Sequence, residues 1–359
     1  MNLDDKLVEK TGVIIVGGFL GSGKTTLIRE AIQHPDLKGT VLLINEAAEL
    51  GVDDRLLRGG ASPIVLLANG CLCCTANEGL RESIHGILTT FAEYSRSRRI
   101  IIEMSGLADP PSVIAAITED AFLANHLRIE LVVTLVDCMH IGEEETKSDD
   151  YRRQVLAADI LLLSKSDLVS VEQVEVVHKF LDNLHPLALR FVSSDKKLNE
   201  LLELGRSLRA DRIAKRLIAG LATSSDRSSG SASSLHMARC ASSRKHALHP
   251  ETFSIKFGSN LNWERFAIWL SLLLHCHGDR ILRIKGFIRL EEGARPLLIS
   301  CIHHIAYFPE HVDAGEDDDN SSFLVFIVVG IAAESVLRSF RTCVQGEPAY
   351  RGEKHQAPS

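Results

Sequence analysis

The segment Gly18-Phe19-Leu20-Gly21-Ser22-Gly23-Lys24-Thr25 constrains this chain more than any other. Its spacing is G-x-x-x-x-G-K-T, and it joins an apolar run at 12–16 to a helically patterned stretch at 24–34 that Pro35 closes. A strand, a glycine turn and a helix in that order make a cradle for phosphate. Gly18, Gly21 and Gly23, with Gly17 beside them, let backbone amides turn inward. The helix that follows presents its positive end to the same anion. Lys24 is expected to reach the β- and γ-phosphates and Thr25 to place its hydroxyl on Mg²⁺, with Ser22 and Thr26 completing the loop. A nucleoside-triphosphate site is the expectation.

The rest of the first half fits such a site. Apolar runs at 40–45, 64–68, 99–103, 130–137 and 159–163 alternate with helical patterns, among them 77–96 and one opened by Pro110-Pro111. Continuous apolar strands alternating with helices predict an α/β fold, a parallel sheet of the P-loop NTPase kind with helices on both faces. Its polar residues gather at the carboxyl ends of strands, where open α/β sheets bind ligands. The composition changes at 222–250, a Ser-rich and His-containing stretch that reads as a flexible linker. Strands at 253–257, 281–290, 297–307 and 323–329 and helices at 263–275 and 332–342 predict a smaller C-terminal α+β domain. The expected division is 1–221, 222–250, 251–346 and a tail at 347–359.

At 359 residues the chain is long for one core, in keeping with two domains. A formal net charge of −7 argues against nucleic acid as partner. Residues 1–10 lack an apolar leader core, and no apolar run reaches the ~18 residues of a membrane span. A cytoplasmic location with no membrane partner is expected, and the 8 cysteines do not form a secreted disulfide pattern.

Two strand ends carry further candidates. Glu103 closes an apolar strand and could hold Mg²⁺ through water, while Gly106 could give its N–H to the γ-phosphate and report hydrolysis as a loop movement. Asp137, at another strand end, is a weaker candidate of the same kind. Ser164-Lys165-Ser166-Asp167 follows the strand at 159–163, where P-loop GTPases carry Asn-Lys-x-Asp. Asp167 could accept two hydrogen bonds from guanine, and Lys165 could lay its stem along the base. Ser164, shorter than asparagine, weakens one polar contact. The alternative is a plain strand-end turn with a helix cap.

Asn69-Gly70-Cys71-Leu72-Cys73-Cys74 is the second strong feature. Thiolates suit Zn²⁺ or Cu(I), and three of them leave one tetrahedral position open. Glu46, Glu49, a histidine or a recipient protein could fill it, and an incomplete site suits a metal that is passed on. Buried apolar cysteines and a redox dithiol are the alternatives. His236, Cys240, His246 and His249 read as a surface loop more than as a second metal store. His303-His304 reads as part of a strand, with its rings on opposite faces.

Together these segments resemble the CobW family of P-loop GTPases. The matching pieces are residues 17–27, Asn45-Glu46, the Asn-Gly-Cys-Leu-Cys-Cys at 69–74, the Glu-Met-Ser-Gly-Leu-Ala-Asp-Pro at 103–110 and the Ser-Lys-Ser-Asp at 164–167. Downstream, the helix at Trp263, the Arg283-Ile-Lys-Gly286 strand and the stretch from Arg295-Pro296 to Phe308-Pro309 look like the family's second domain. The resemblance implies GTP hydrolysis with Mg²⁺, and metal binding at Cys71, Cys73 and Cys74. It further implies delivery of zinc, or cobalt next, to a client metalloprotein. Ala48 stands where glycine is usual and Met104 where threonine is common, and neither change removes a ligand. Oligomeric state is open, a homodimer being one option. Two alternatives remain: a small-molecule kinase, and an activator of a metalloenzyme (nitrile hydratase or cobalamin type) that carries no metal itself.

Overall fold

The computed structural model describes residues 10–32, 34–37, 40–44, 64–66, 76–90, 99–106, 108–141, 148–194, 197–201, 236–239, 250–258, 261–290, 295–312 and 321–346. The chain divides into two compact units, Met1–Arg209 and Ala210–Ser359.

The first unit is a parallel sheet. Its strands are β1 (Thr11–Gly18), β2 (Val41–Ile44), β3 (Ile64–Leu66), β4 (Arg99–Glu103), β5 (Leu127–Asp137), β6 (Ile160–Ser164) and β7 (Leu189–Val192). They lie in the order β3-β2-β4-β1-β5-β6-β7, every described pairing parallel. β4 and β6 are buried at every position and β1 at all but its first, as a sheet covered on both faces requires. The helices are α1 (Lys24–Ile32), α2 (Ala76–Thr90), α3 (Pro110–Thr118), α4 (Ala121–His126), α5 (Asp149–Ala157) and α6 (Val171–Leu184).

Local chemistry sets several helix starts. Pro110 and Pro111 occupy the first positions of α3, where a missing N–H costs nothing. Ser148 and Ser170 cap α5 and α6 by accepting from Tyr151 N and Gln173 N. Leu27, Ile28 and Ala31 of α1 pack with Ile14, Val16, Ile101 and Leu135 of the central strands, at about 1.5–3 kcal/mol for each large side chain buried. That packing fixes where α1 begins, and so where the glycine turn before it sits.

The second unit is antiparallel. β8 (His236–Arg239), β9 (Glu251–Phe257), β10 (Ile281–Ile288), β11 (Leu297–Ile302), β12 (Ile305–Ala306), β13 (Glu310–His311) and β14 (Ser322–Val328) run in the order β12-β11-β10-β14-β9-β8, with β13 on β11. Phe266, Trp269 and Leu273 of α7 (Trp263–His277) and Val336 and Phe340 of α8 (Ala333–Cys343) close the core over one face.

Two readings change here. Residues 236–239 fall in the expected linker, yet they form β8, an edge strand paired with β9 from His236↔Lys256 to Arg239↔Phe253. Four residues with one β-branched-free, mixed pattern carry no strand signal of their own. His303 and His304 are not in a strand. They form the two-residue turn between β11 and β12, where Ile302 faces Ile305 and His303 takes φ 50°. Both rings then meet the end of α7: His304 Nδ1–H donates to Leu274 O at 2.9 Å, and His303 Nδ1–H to Gly278 O at 3.3 Å.

Candidate functional site: a phosphate loop beside a strand-end carboxylate

The site lies beyond the carboxyl ends of β1 and β4. Gly18 ends β1 with φ 141°, and Gly21 and Gly23 follow with φ 72° and 95°. These are backbone conformations that side chains rarely adopt, and a Cβ on Gly18 would also meet Ser22 Oγ at 2.6 Å and Leu135 O at 2.9 Å. The turn is closed by Ser22 N donating to Phe19 O at 3.2 Å, and α1 begins with Leu27 N on Gly23 O at 3.1 Å. Ser22 is fully buried, and its Oγ has no hydrogen-bond partner among the described residues. A buried hydroxyl of that kind fits an anion-binding turn. Thr26, one residue into α1 beyond Thr25, is exposed.

Lys24 is buried, and its Nζ donates to Gly18 O at 2.8 Å and Phe19 O at 3.1 Å. The ammonium thus spans the open side of its own loop. Thr25 Oγ1 donates to Glu103 Oε1 at 2.6 Å. Glu103 is 5% exposed at the end of β4, level with Val16 of β1. A hydroxyl and a carboxylate so placed are hard oxygen donors of the type Mg²⁺ takes, so the residues present fit that ion.

After Glu103 the chain turns beside the loop. Met104 N donates to Val16 O at 3.0 Å, and Ala108 N to Ser105 O at 3.1 Å. Gly106 is buried, and a Cβ there would meet Leu20 N at 2.6 Å, so only glycine lets this turn approach the phosphate loop so closely.

The Ser164-Lys165-Ser166-Asp167 segment begins at the last residue of β6. Ser164 is buried and turned into the sheet: its Oγ reaches Val136 O at 3.4 Å and its carbonyl accepts from Cys138 N at 3.0 Å. Lys165 takes a left-handed conformation, φ 55° and ψ 27°, and Asp167 is exposed in the short 3-10 turn Ser166–Leu168. Lys165 Nζ donates to Asp137 Oδ2 at 2.6 Å. Asp137 also accepts from Met139 N at 2.9 Å and pairs with His140 Nδ1 at 3.0 Å. Burial raises the Asp137 carboxyl, but the Lys165 and Met139 hydrogen bonds, with His140 and the Lys165 charge, bring it below the ordinary carboxylate value. Asp137 is therefore engaged with Lys165, Met139 and His140.

Cys71, Cys73, Cys74, Glu46 and Glu49 lie outside the described residues. Among the described residues, no group of three or more His, Cys, Asp or Glu is arranged to hold a metal, and no helix is long and apolar enough to cross a membrane. The sequence reading missed Gln154, whose amide reaches the Gly106 turn; nothing in its local sequence marks it.

The family model for the CobW/HypB/UreG nucleotide-binding domain matches residues 12–191, and that for the cobalamin synthesis protein cobW C-terminal domain matches residues 251–344. The chain belongs to the CobW/HypB/UreG family. Zinc-regulated GTPase metalloprotein activator 1 of Schizosaccharomyces pombe is 28% identical over 316 residues, covering 81% of this chain and 75% of its own length. Zinc chaperone CobW of Sinorhizobium sp is 28% identical over 323 residues, covering 82% of this chain and 85% of its own. The crystal structure of Zn(II)-bound YjiA GTPase from Escherichia coli superposes with a TM-score of 0.61 at 20% identity, over 93% of this chain and 99% of that one. That likeness shows a shared fold.

Proposed function

We propose that this CobW-family chain binds and hydrolyses GTP with Mg²⁺, carries zinc at Cys71, Cys73 and Cys74 and delivers it to a client metalloprotein. Cobalt is the second candidate cargo. The observation that supports the nucleotide half most is the Thr25–Glu103 pair at 2.6 Å beside the glycine turn. The relatives named as a zinc chaperone and a zinc-regulated GTPase activator support the metal half.

The residues divide the work by position. The amides of residues 18–25 and the start of α1 bind phosphate oxygens. Lys24 exchanges its two carbonyl partners for the β- and γ-phosphates. Thr25 and Glu103 would hold Mg²⁺, which when bound neutralises charge on the phosphate oxygens. Asp167 accepts from guanine, and Asp137 steadies Lys165 along the base. Gly106 meets the γ-phosphate, and its release on hydrolysis moves the turn before α3. Three thiolates hold a soft cation, and the open fourth position, with Glu49 among its candidates, leaves a way out for it.

The deciding experiment is metal-competition titration with Zn²⁺ and Co²⁺ of the nucleotide-free protein, then with GTP-Mg²⁺ and with GDP-Mg²⁺. A Cys71/Cys73/Cys74→Ser triple variant runs beside it. The proposal expects one metal bound stoichiometrically, lost in the triple variant, with an affinity that depends on the nucleotide. Affinity indifferent to nucleotide, or unchanged without the thiols, sinks GTP-driven delivery and leaves the kinase or metal-free activator.

A further inference from the structure

Gln154 has a place in the nucleotide site that no motif marks. It lies on α5 with 1% of its surface exposed, and its Nε2 donates to Gly106 O at 2.8 Å and to Ala108 O at 3.0 Å. Both amide hydrogens are thereby committed to the two carbonyls flanking position 107. The helix is tied down at the same residue, because Thr134 Oγ1 of β5 donates to the Gln154 main-chain carbonyl at 2.9 Å. Thr134 is level with Gly17 of β1, immediately before the phosphate loop. The turn also meets that loop directly, through the close approach of Gly106 to Leu20 N. The segment between β4 and α3 is thus held by the phosphate loop and by a buried carboxamide.

The residue type matters. A carboxylate at 154 accepts only, and would face two carbonyl oxygens. Leucine fills similar volume but leaves both carbonyls without their donor. A carboxamide supplies two donors from one planar group, and so fixes the two carbonyls relative to each other and to β5.

We propose that Gln154 is a positioning residue for the γ-phosphate, holding the Gly106 turn in the arrangement that a triphosphate engages and a diphosphate does not. This rests on the proposed GTP reading and adds to it a residue that touches no ligand. The hold is made entirely by the chain's own groups, so the turn needs little ordering when a triphosphate binds.

The test compares the full-length wild type with Gln154→Leu and Gln154→Glu, using fluorescent GDP and a fluorescent non-hydrolysable GTP analogue. Affinity for the triphosphate is expected to fall about ten-fold in both variants while GDP affinity stays within about two-fold, the scale of losing buried hydrogen bonds on one ligand only. The kcat for GTP is expected to fall with it. A common fall for both nucleotides overturns the proposal, as does no change in a variant that melts like wild type. Should neither variant fold, hydrogen exchange of wild type decides. The Ala108 amide, which donates to Ser105 O, should be protected in every state, and the Gly106 amide should gain protection with the triphosphate analogue but not with GDP. An unprotected Ala108 amide, or an equal gain at Gly106 with GDP, overturns it. A wild type that binds neither guanine nucleotide overturns the GTP reading and this inference with it. A wild type that binds both, with variants that discriminate as it does, overturns this inference alone.

Discussion

Thr25 Oγ1 lies 2.6 Å from Glu103 Oε1, though 78 positions separate the two residues. The contact exists because β1 and β4 are neighbours with Glu103 level with Val16, so the end of β4 lies beside the first turn of α1. Glu103→Gln keeps the shape and removes the charge, and Thr25→Ala removes the hydroxyl. Each is expected to lower GTP turnover about 10²-fold or more, the scale of losing one well-placed electrostatic group. Each should also raise the Mg²⁺ concentration needed for half-maximal hydrolysis. Turnover measured across a Mg²⁺ series checks both, and an unchanged Mg²⁺ dependence would remove these residues from the metal site.

The Asp137 carboxyl gives a pH signature. Its folded value is depressed below the ordinary 3.8, chiefly by Lys165 and Met139 against the raising effect of burial. A depressed acid contributes stability that is whole above the unfolded value and is lost as pH falls through the folded one. Wild type should therefore lose this contribution only below about pH 4, and Asp137→Asn should flatten the slope of stability against pH in that acid window. Denaturant unfolding at a series of acid pH values reads the slope. Parallel curves for the two proteins would mean that the Lys165 pairing does not favour the charged carboxylate.

How much of this was legible in the sequence depended on range. β1, β4 and β6 announced themselves as short apolar runs, and the phosphate loop as one contiguous motif. The sequence points Thr25 and Glu103 each toward Mg²⁺, and the direct contact between them comes from the structure alone. By contrast, β7 alternates Leu189-Arg190-Phe191-Val192 weakly, and β8 gains its pairing from β9 alone. His303 and His304 read as strand because their neighbours Ile302 and Ile305 do, and only a φ of 50° reveals the turn. Gln154 acts on carbonyls 48 and 46 positions away, a distance at which local pattern carries no signal. The Lys165–Asp137 pairing was hidden in the same way, since Asp137 looked like any strand-end acid.

Far from the nucleotide, Arg99 Nε and Glu130 Oε2 form a buried pair at 3.0 Å, with side chains 9% and 3% exposed. Glu130 sits at the irregularity where β1 and β5 slip register between Val13 and Ile14, and Gly12 leaves room for its carboxylate. The pair bridges β4 and β5 across the start of β1, at the amino ends of these central strands and away from the phosphate loop. Glu130→Gln strands a buried guanidinium and is expected to cost about 3–5 kcal/mol. Chemical denaturation should show that loss, while nucleotide affinity measured well below the melting transition stays at its wild-type value. A variant as stable as wild type would show that the guanidinium keeps enough other partners without the charge of Glu130.

Thiol reactivity separates the described cysteines into two classes. Cys276 and Cys343 are exposed, whereas Cys138 and Cys301 are buried. Burial, with the nearby Asp137 charge, pushes the Cys138 thiol up to about 11. Burial pushes Cys301 to about 12 against the opposing pull of Arg283. Since the thiolate is the reactive form, iodoacetamide near pH 8 should modify Cys276 and Cys343 in the native protein, and Cys138 and Cys301 only after unfolding. That contrast sets the background for the metal experiment. If Cys71, Cys73 and Cys74 hold zinc, saturating Zn²⁺ should protect those three from alkylation and leave labelling at Cys276 and Cys343 unchanged. Peptide-resolved mass spectrometry distinguishes the sites, and equal labelling of the three with and without Zn²⁺ would remove them from the metal site.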